Sequence, residues 1–529
     1  MTIASETPGP GAALPDWLKR GIGVLAALIL WEALAWLMQG TFLLAGPIAI
    51  VQHISENFGL LWRALTATLG TAALGFVIGN AVAILLAAIA ILIPRLEAPI
   101  AAIALLVFCL PLVATGPILR VLFGPGIGPQ VTLAALAVYY TTFVPLLVGL
   151  RAAPAGWFDL VSSYGRGRWA ELVYVRAFAC APYLIAGLQI AAPAAFLGAM
   201  IGEFTGTERG MGLLAIVAMR SLDVNATWAL ASLASGVAII VYLAVGWAGR
   251  ILWPDRPAIN LTAPPDAARR PWWERLAITL GTIVFVILGW QLLLDALGVN
   301  AFIGKRPGAI WDYLVASSDA AENRAVLFAA LSETLVYTIP GYLAGLILGA
   351  VLAALFVLWP ALAGAALPVA IALRSIPIVT TAPLIVLALG REAVGTITIV
   401  AVMIFFPTVV ACIQGLRQAP GQVLDVFDSY AAGKYRRLFY AQVPAMLPAL
   451  FASARMAVPA AVLAVTVAEW LATGTGIGNL MVLQAALSNY NMLWSAIVVL
   501  TLVAFLGYLG VAAVERAVLR VFAPEQVAR

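Results

Sequence analysis

The stretches WFDLVSSYGRGRWAELVYVRAFACAPYLIAGL (157–188) and VLDVFDSYAAGKYRRLFYAQVPAMLPALFASA (423–454) decide the fold, because the second repeats features of the first 266 positions later. Each contains an aspartate, a Ser-Tyr pair, a glycine, a basic residue and then a ring, at the same offset. Working outward, the offset holds without a gap from about Thr68 to Arg250. The matching residues are mostly glycine, proline and polar types, so they reflect more than a shared apolar composition. A duplication this long predicts a fold made of two similar halves.

The composition places the chain in a membrane. Hydrophobic residues make up 64% of it, charged residues only 10%, and the mean hydropathy is +1.04. Soluble globular proteins carry about 25% charged residues. Apolar runs of about 20 residues, long enough to span a bilayer, recur along the chain. This composition excludes a soluble globular protein and predicts an all-α polytopic membrane protein.

The apolar pattern predicts about 12 transmembrane helices, six in each half. They lie near 21–38, 65–92, 98–121, 129–150, 179–203 and 227–250, and near 276–295, 330–358, 362–389, 394–416, 445–470 and 493–518. An even number of spans in each half inserts both halves with the same orientation, so the repeats are parallel. We therefore divide the chain into a first unit with its N-terminal cytoplasmic tail (1–250), a Pro-rich charged linker (251–274) and a second unit (275–529).

The basic residues predict the orientation. Lysine and arginine concentrate at 151–176, 250–275 and 417–437, which all fall on one face of the predicted topology. By the positive-inside rule this face, with both chain termini, is cytoplasmic. Lys305, Arg306 and Arg324 violate the rule on a longer external segment. Residues 1–16 lack the features of a cleavable signal, so we expect the first helix to remain as an anchor.

The sequence contains no recognisable catalytic or metal motif. There is one histidine, His53, and no HExxH, GxSxG or GxxxxGK[ST] motif. The three cysteines, Cys109, Cys180 and Cys412, have unrelated spacings that indicate neither a disulfide framework nor a metal site. We therefore expect no enzymatic activity and no cofactor in this chain. The net charge of +5 follows from the cytoplasmic loops and does not indicate a nucleic-acid partner.

The repeated loop is the strongest candidate site. A single basic loop is explained by membrane topology alone. Charge, however, does not require the same rings to recur, so membrane topology alone does not explain two copies. The candidate residues are Asp159, Tyr164, Gly165, Arg166, Gly167, Arg168 and Trp169 in the first loop, and Asp425, Tyr430, Gly433, Lys434, Tyr435 and Arg436 in the second.

Both loops resemble the EAA signature of bacterial ABC importer permeases. Asp159 and Asp425 occupy the position of the signature's glutamate, and Gly165 matches its glycine, where the second copy has Ala431. The segments 202–214, 374–390 and 468–480 are similar to the sulfonate/taurine/nitrate/bicarbonate branch. Since that branch usually uses a six-helix subunit as a homodimer, the chain resembles such a dimer fused into one polypeptide.

The resemblance implies the partners and the mechanism. It implies a type I ABC importer permease fold in the bacterial inner membrane, with each loop acting as a coupling helix on one of two ATPase subunits. ATP and Mg²⁺ would bind to those subunits. A periplasmic binding protein would deliver a small solute, and the fused chain would need no homodimer.

Ionisable residues inside the predicted spans are candidates for the translocation path, because they cost about 2.5–3.5 kcal/mol at the bilayer centre and point inward by default. Arg374 and Arg455 lie inside spans of the second half, where the first half has Phe108 and Gln189. Glu203 and Glu469 end the fifth helix of each half and are candidates for the outer gate. A helix-packing or interfacial role is the alternative for each of these residues, and for the two glutamates it is favoured. Two arginines on the path would suit an anionic solute.

Prolines inside the predicted spans mark a second candidate feature of the path. Pro111 and Pro377 break the third helix of each half, next to Thr115 and Thr381. Broken backbone of this kind lines the path in some transporters, and in others it is only a packing feature that neighbouring helices satisfy.

Two other classes of membrane protein remain open. An ion-coupled secondary transporter can also have two six-helix halves. It would place its longest cytoplasmic loop between the halves and would need no repeated docking loop. A passive channel or scaffold is the third class. A requirement for a separate ATP-binding subunit separates the importer from both.

Overall fold

The computed structural model describes residues 16–40, 44–124, 126–153, 155–204, 207, 209–253, 272–359, 382, 385–386, 388–390 and 393–522. In these residues all regular secondary structure is helical. The first half contains α1 (Asp16–Leu37), α2 (Pro47–Glu56), α3 (Phe58–Leu92), α4 (Glu97–Phe108), α5 (Leu112–Phe123), α6 (Gly128–Arg151), α7 (Ala155–Ser163), α8 (Arg168–Glu171), α9 (Ala177–Ala179), α10 (Ala181–Glu203), α11 (Met211–Arg220) and α12 (Val224–Leu252). A π-helical turn, Leu172–Arg176, joins α8 to α9.

The second half repeats this order. It contains α13 (Trp272–Ala296), α14 (Pro307–Trp311), α15 (Ala320–Leu358), α16 (Ala393–Arg417), α17 (Gly421–Ser429), α18 (Lys434–Arg437), α19 (Val443–Ala468), α20 (Gly476–Ala486) and α21 (Tyr490–Phe522). Its π-helical turns are Asp312–Ala316, Leu438–Gln442 and Glu469–Thr473. In the repeated loop, the bounds of α7, α8 and the following π-helical turn recur 266 residues later without a shift.

The predicted spans agree with the described helices. Nine of these helices are long and apolar enough to cross a membrane, or ten if the bent pair α4–α5 is one span. Because a bilayer offers the backbone no hydrogen-bond partners, an apolar segment folds as a helix that satisfies its own polar groups. Helix α1 covers the first predicted span, and the prediction at 362–389 lies almost entirely outside the described residues. The total of twelve therefore stays a prediction.

The segment predicted as a span at 98–121 is broken at Pro111, as its proline predicts. This segment forms α4 and α5, which meet at an angle of 92°. Pro111 lies at the break in an extended conformation, with φ −70° and ψ 101°. Proline has no N–H to continue the helical ladder, and it disfavours helical geometry in the residue before it. The third segment of the first half is therefore two short helices joined at a sharp bend.

The two halves contact each other through the third segment of the first half, where α5 packs against α19, α20 and α21 of the second half. Within each half, α6 packs between α3 and α10, and α16 packs between α15 and α19. Ala199 and Met200 of α10 share one buried cluster with Val465 and Ala468 of α19. In addition, α4 of the first half packs against α13 and α21 of the second. Small residues at these contacts let the helices approach closely, as is typical within membranes.

Candidate functional site

The repeated loops present large rings to solvent beyond the ends of α6 and α16. Tyr164 and its counterpart Tyr430 are 76% and 83% exposed, and Trp169 and Tyr435 are 67% and 52% exposed. The other predicted loop residues are exposed as well: Asp159, Gly165, Arg166, Gly167, Arg168, Asp425, Gly433, Lys434 and Arg436. Exposed rings grouped on one small surface are typical of a docking site, and this surface occurs twice.

A left-handed residue closes the first helix of each loop. Gly165 has φ +68° and Ala431 has φ +48°. In the first loop the N–H of Arg166 donates to Val161 O at 3.3 Å, and in the second the N–H of Ala432 reaches back over the same number of residues, at 2.9 Å. These bonds close a Schellman-type turn. The substitution of alanine for the signature's glycine therefore leaves the turn unchanged, at a cost of about 1–2 kcal/mol for the left-handed alanine.

Different cations fasten the two loops to the helices. In the first loop, Arg176 Nη1 donates to Leu150 O at 2.8 Å, and the guanidinium carbon lies 4.3 Å from the centre of the Phe158 ring. Burial lowers the pKa of Arg176, but an arginine stays charged at neutral pH. In the second loop, Lys434 Nζ lies 5.6 Å from the centre of the Trp359 ring. The role of Arg176 could not be predicted from the repeat, because its counterpart in the second half is a glutamine.

The carboxylate of Glu203 is buried where α3, α10 and α11 meet. Thr68 Oγ1 donates to Glu203 Oε1 at 2.7 Å, and the N–H of Gly212 donates to Oε2 at 2.6 Å. Thr68 Oγ1 also accepts from the N–H of Met211 at 2.9 Å. The first N–H groups of a helix have no partner within the helix. Glu203 and Thr68 supply those partners and so fix the start of α11.

The second half repeats this network around Glu469, which is also buried. Thr334 Oγ1 and the N–H of Gly478 donate to the carboxylate at 2.7 and 2.8 Å. The N–H of Ile477 donates to Thr334 Oγ1 at 2.9 Å. All four residues are 266 positions from their counterparts in the first half. The two glutamates thus hold the short helices α11 and α20 in place, and a further role at the gate stays a prediction.

Arg455 and Gln189 both face the sixth helix of their own half. Arg455 Nη1 lies 2.5 Å from Glu515 Oε2 on α21, with side chains 32% and 11% exposed. The repeat counterpart of Glu515 is Gly249. Gln189 packs on α12, where its Nε2 lies 2.1 Å from the point that a Cβ on Gly246 would occupy. The charge of Arg455 is therefore balanced within its own half.

The broken third helix is described in the first half only. Pro111 is buried at the break, and Thr115 Oγ1 donates to Leu112 O at 2.9 Å. The corresponding predicted residues Arg374, Pro377 and Thr381 lie outside the described residues. Their roles, with those of Pro111 and Thr115, stay predictions.

Two aromatic residues that the sequence comparison missed meet between the halves. The ring centres of Phe204 and Trp470 lie 5.5 Å apart in an edge-to-face arrangement. They border a cavity of about 320 Å³. Its other lining residues are Val113 and Pro117 of α5 and Val482, Ala485 and Ala486 of α20. The comparison counted identical residues, whereas a search for aromatic residues of any type at the 266-residue offset would have found this pair.

The described residues combine exposed rings on the repeated loops with an apolar cavity between the halves. They contain no cluster of His, Cys, Asp and Glu that could hold a metal ion. Their three cysteines are buried thiols. Protein docking at the loops and solute binding in the cavity stay predictions.

A family model decides the classification. The model described as "Binding-protein-dependent transport system inner membrane component" matches residues 79–255 and 341–520, once in each half and over more than half of the chain. The chain belongs to this permease family. The double match confirms the prediction of two permease units fused in one chain. The members of this family are transport permeases.

The permease resembles curated single-unit relatives over about half of its length. It is 28% identical over 236 residues to a probable ABC transporter permease protein of Haemophilus influenzae, covering 44% of this chain and 95% of the relative. It is 29% identical to the riboflavin transport system permease protein RibX of Chloroflexus aurantiacus, covering 45% and 90%. It is 23% identical to the taurine transport system permease protein TauC of Escherichia coli, covering 46% and 83%. No solved structure matches the chain.

Proposed function

We propose that this permease is the membrane subunit of an ATP-driven importer, and that its two repeated loops dock on two copies of a separate ATPase subunit. The observation that carries the proposal is the pair of exposed ring surfaces, whose helices have the same bounds at one offset. Two equivalent sites on one chain fit two identical partners. ATP and Mg²⁺ bind to the ATPase in this proposal, and the permease contributes no catalytic residue.

The loops are built to transmit force. Arg176 ties the first loop to the end of α6, and Lys434 contacts Trp359 beside α15. A loop fixed in this way moves together with its helices. When two ATPase subunits close, they draw the loops together and rock one half against the other, which gives alternating access by rigid-body motion.

The proposed orientation has the loops and both termini in the cytoplasm, with a binding protein on the opposite face. The positive-inside rule supports this orientation. One of the arginines that violates the rule, Arg306, forms an ion pair with Asp295 at 2.8 Å. Its charge is therefore compensated on the external face, which weakens its effect as a topology signal.

We propose a small organic solute. The prediction of an anion depends on Arg374, which lies outside the described residues, and on Arg455, whose charge Glu515 balances. The described cavity is lined by apolar and aromatic side chains. A solute with an apolar or aromatic portion beside any negative charge fits this lining better than an inorganic anion. Taurine and riboflavin, which the relatives' names specify, are the first two solutes to test.

The test is purification of the native complex from membranes, followed by identification of the chains recovered with the permease. We expect a P-loop ATPase in two copies, and uptake into proteoliposomes that requires ATP. Recovery of the permease alone, with uptake that needs no ATP, would instead support a secondary transporter or a channel.

Variants of the loops locate the interface. Replacing Tyr164 and Trp169 together by alanine, or Tyr430 and Tyr435, should weaken ATPase association at least tenfold, since anchor rings dominate such interfaces. The control is Phe58→Ala with Trp62→Ala. These two exposed rings stack with centres 6.1 Å apart at the start of α3, and their loss should leave the association unchanged.

A further inference from the structure

The contact between Phe204 and Trp470 joins equivalent residues of the two repeats. They are 266 positions apart, and their ring centres are separated by 5.5 Å. A residue can touch its own counterpart only near the axis that relates the two halves. In a transporter built from parallel repeats, the translocation path also runs along that axis. The ring pair therefore lies on the line of the path.

The position of the pair along the path follows from the length of α10. This helix starts beside the first coupling loop and has 23 residues, so it rises about 34 Å. The hydrocarbon core of a bilayer is about 30 Å thick. Phe204 directly follows the last residue of α10. The ring pair therefore lies at the end of the path opposite to the loops, which is the external end.

The rings border an apolar cavity. Phe204 is buried, and Trp470 is half-buried. The cavity next to them has walls from α5 of the first half and α20 of the second, including Val113 and Val482. A single edge-to-face ring pair is a weak contact, so a rocking motion of the halves can separate the rings and admit a solute.

The buried glutamates fix the backbone at Phe204 and at Trp470. Glu203 directly precedes Phe204 and binds the start of α11, and Glu469 directly precedes Trp470 and binds the start of α20. Each ring is thus attached to a short helix of its own half. Separation of the halves moves each ring together with that helix.

We infer that Phe204 and Trp470 form the external gate of the translocation path. The inference rests on the proposed transport function and adds the residues that close the path. It also explains why a buried glutamate directly precedes the ring in each half. The gate needs both rings held in position, and each glutamate holds one of them.

The test measures access of a thiol reagent to the cavity wall. The native cysteines are replaced (Cys109→Ala, Cys180→Ala, Cys412→Ala), and Val113→Cys is introduced, at a position only 3% exposed. The probe is the membrane-impermeant reagent trimethylammonium-ethyl methanethiosulfonate, applied to each side of the membrane in turn. We expect Phe204→Ala with Trp470→Ala to raise the labelling rate at least tenfold from the side opposite to the loops.

Two controls make the result specific. Trp31→Ala with Trp228→Ala removes another ring pair, with centres 5.7 Å apart within the first half, and should leave the labelling of Val113→Cys unchanged. Val51→Cys, at a position 67% exposed on α2, reports reagent delivery from the side opposite to the loops and should be labelled rapidly from that side in every background. An unchanged rate at Val113→Cys after loss of both gate rings overturns the inference, as does a rise from the loop side.

A second variant covers a failure of the first to fold. Phe204→Leu with Trp470→Leu keeps apolar side chains and removes only the ring contact, and it should raise labelling at least threefold; an unchanged rate again overturns the gate. Labelling requires neither ATP nor an ATPase. A negative result here therefore counts against the gate, whereas absence of an ATPase from the purified complex counts against the proposed function.

Discussion

Arg455 of α19 and Glu515 of α21 form an ion pair at 2.5 Å, at positions where the first half has Gln189 and Gly249. The first half has neither charge and the second half has both, so the two charges occur together. Within a membrane an unpaired charge is costly, and a partner on the neighbouring helix removes most of that cost. The pairing favours a helix-packing role for Arg455 over a free cationic surface.

Neutralising one member of this pair should destabilise the permease more than neutralising both. Arg455→Gln leaves a mostly buried carboxylate without its counter-charge, and should cost about 1–3 kcal/mol. The double variant Arg455→Gln with Glu515→Gln leaves no charge and should recover most of the loss. Thermal unfolding in detergent measures both effects. Equal midpoints for the single and double variants would count against the pairing.

The glutamate network should be more fragile in the first half than in the second. In the second half, Glu333 Oε2 also accepts from the N–H of Gly476 at 3.0 Å, whereas Ala67 stands at the corresponding position of the first. Glu203→Ala should therefore loosen α11 more than Glu469→Ala loosens α20. Hydrogen exchange of the two short helices measures this difference. Greater loss of protection in α20 would contradict it.

The chemical role of these carboxylates can be tested with a conservative change. Glu203→Gln keeps an oxygen that can accept from Thr68 or from the backbone, so it should cost less than about 1 kcal/mol. Glu203→Ala leaves a buried N–H without an acceptor and should cost about 2–3 kcal/mol. Unfolding midpoints of the two variants give the comparison. A glutamine variant as unstable as the alanine variant would show that the negative charge itself is required.

Gly476 should not tolerate alanine. A Cβ at this position would lie 2.1 Å from Glu469 Oε1, and the backbone has φ +75°. Gly474 has the same φ but open space around it, so Gly474→Ala is a matched control that measures backbone strain alone, about 1–2 kcal/mol. The yield and unfolding midpoint of Gly476→Ala should fall well below those of the control. Similar values for both would show that the carboxylate moves aside freely.

Ala431→Gly should stabilise the second of the two repeated loops. Ala431 has φ +48°, and glycine adopts this conformation without a steric cost. We expect a gain of about 1 kcal/mol at most, and the reverse change Gly165→Ala should lose a similar amount. Proteolysis of the loops in the intact permease measures both. A loop that is cut faster after Ala431→Gly would contradict the assignment of strain to this residue.

Much of the architecture could be predicted from composition and the repeat. Apolar length alone located spans such as α3 and α16, because a bilayer permits few other structures. It could not show the 92° bend beside Pro111, since an apolar run has the same hydropathy whether it is straight or broken. Hydropathy also could not show which residues far apart in the sequence form contacts in the folded chain. Glu515 lies 60 residues beyond Arg455, and only the paired mismatch with Gln189 and Gly249 hinted at the contact.

The residues of the candidate site also fall into two groups, those that could be predicted from the sequence and those that could not. The exposed rings and cations of the repeated loops could be predicted, because they recur at one offset that membrane topology does not explain. The ring pair Phe204–Trp470 could not be predicted from identical residues, since the two halves use different aromatic residues. The pair matters because it lies near the axis that relates the two halves, and that axis exists only in the folded chain.

The most direct test of the central claim, that the repeated loops dock on a motor subunit, is photo-crosslinking in native membranes. Benzoyl-phenylalanine is placed at Trp169 and, in a second sample, at Tyr435, and the captured chains are identified by mass spectrometry. Our account predicts that both positions capture the same P-loop ATPase, and that a probe at Trp62 captures none. Capture of no ATPase from either loop, in membranes where the permease is folded and abundant, would contradict it.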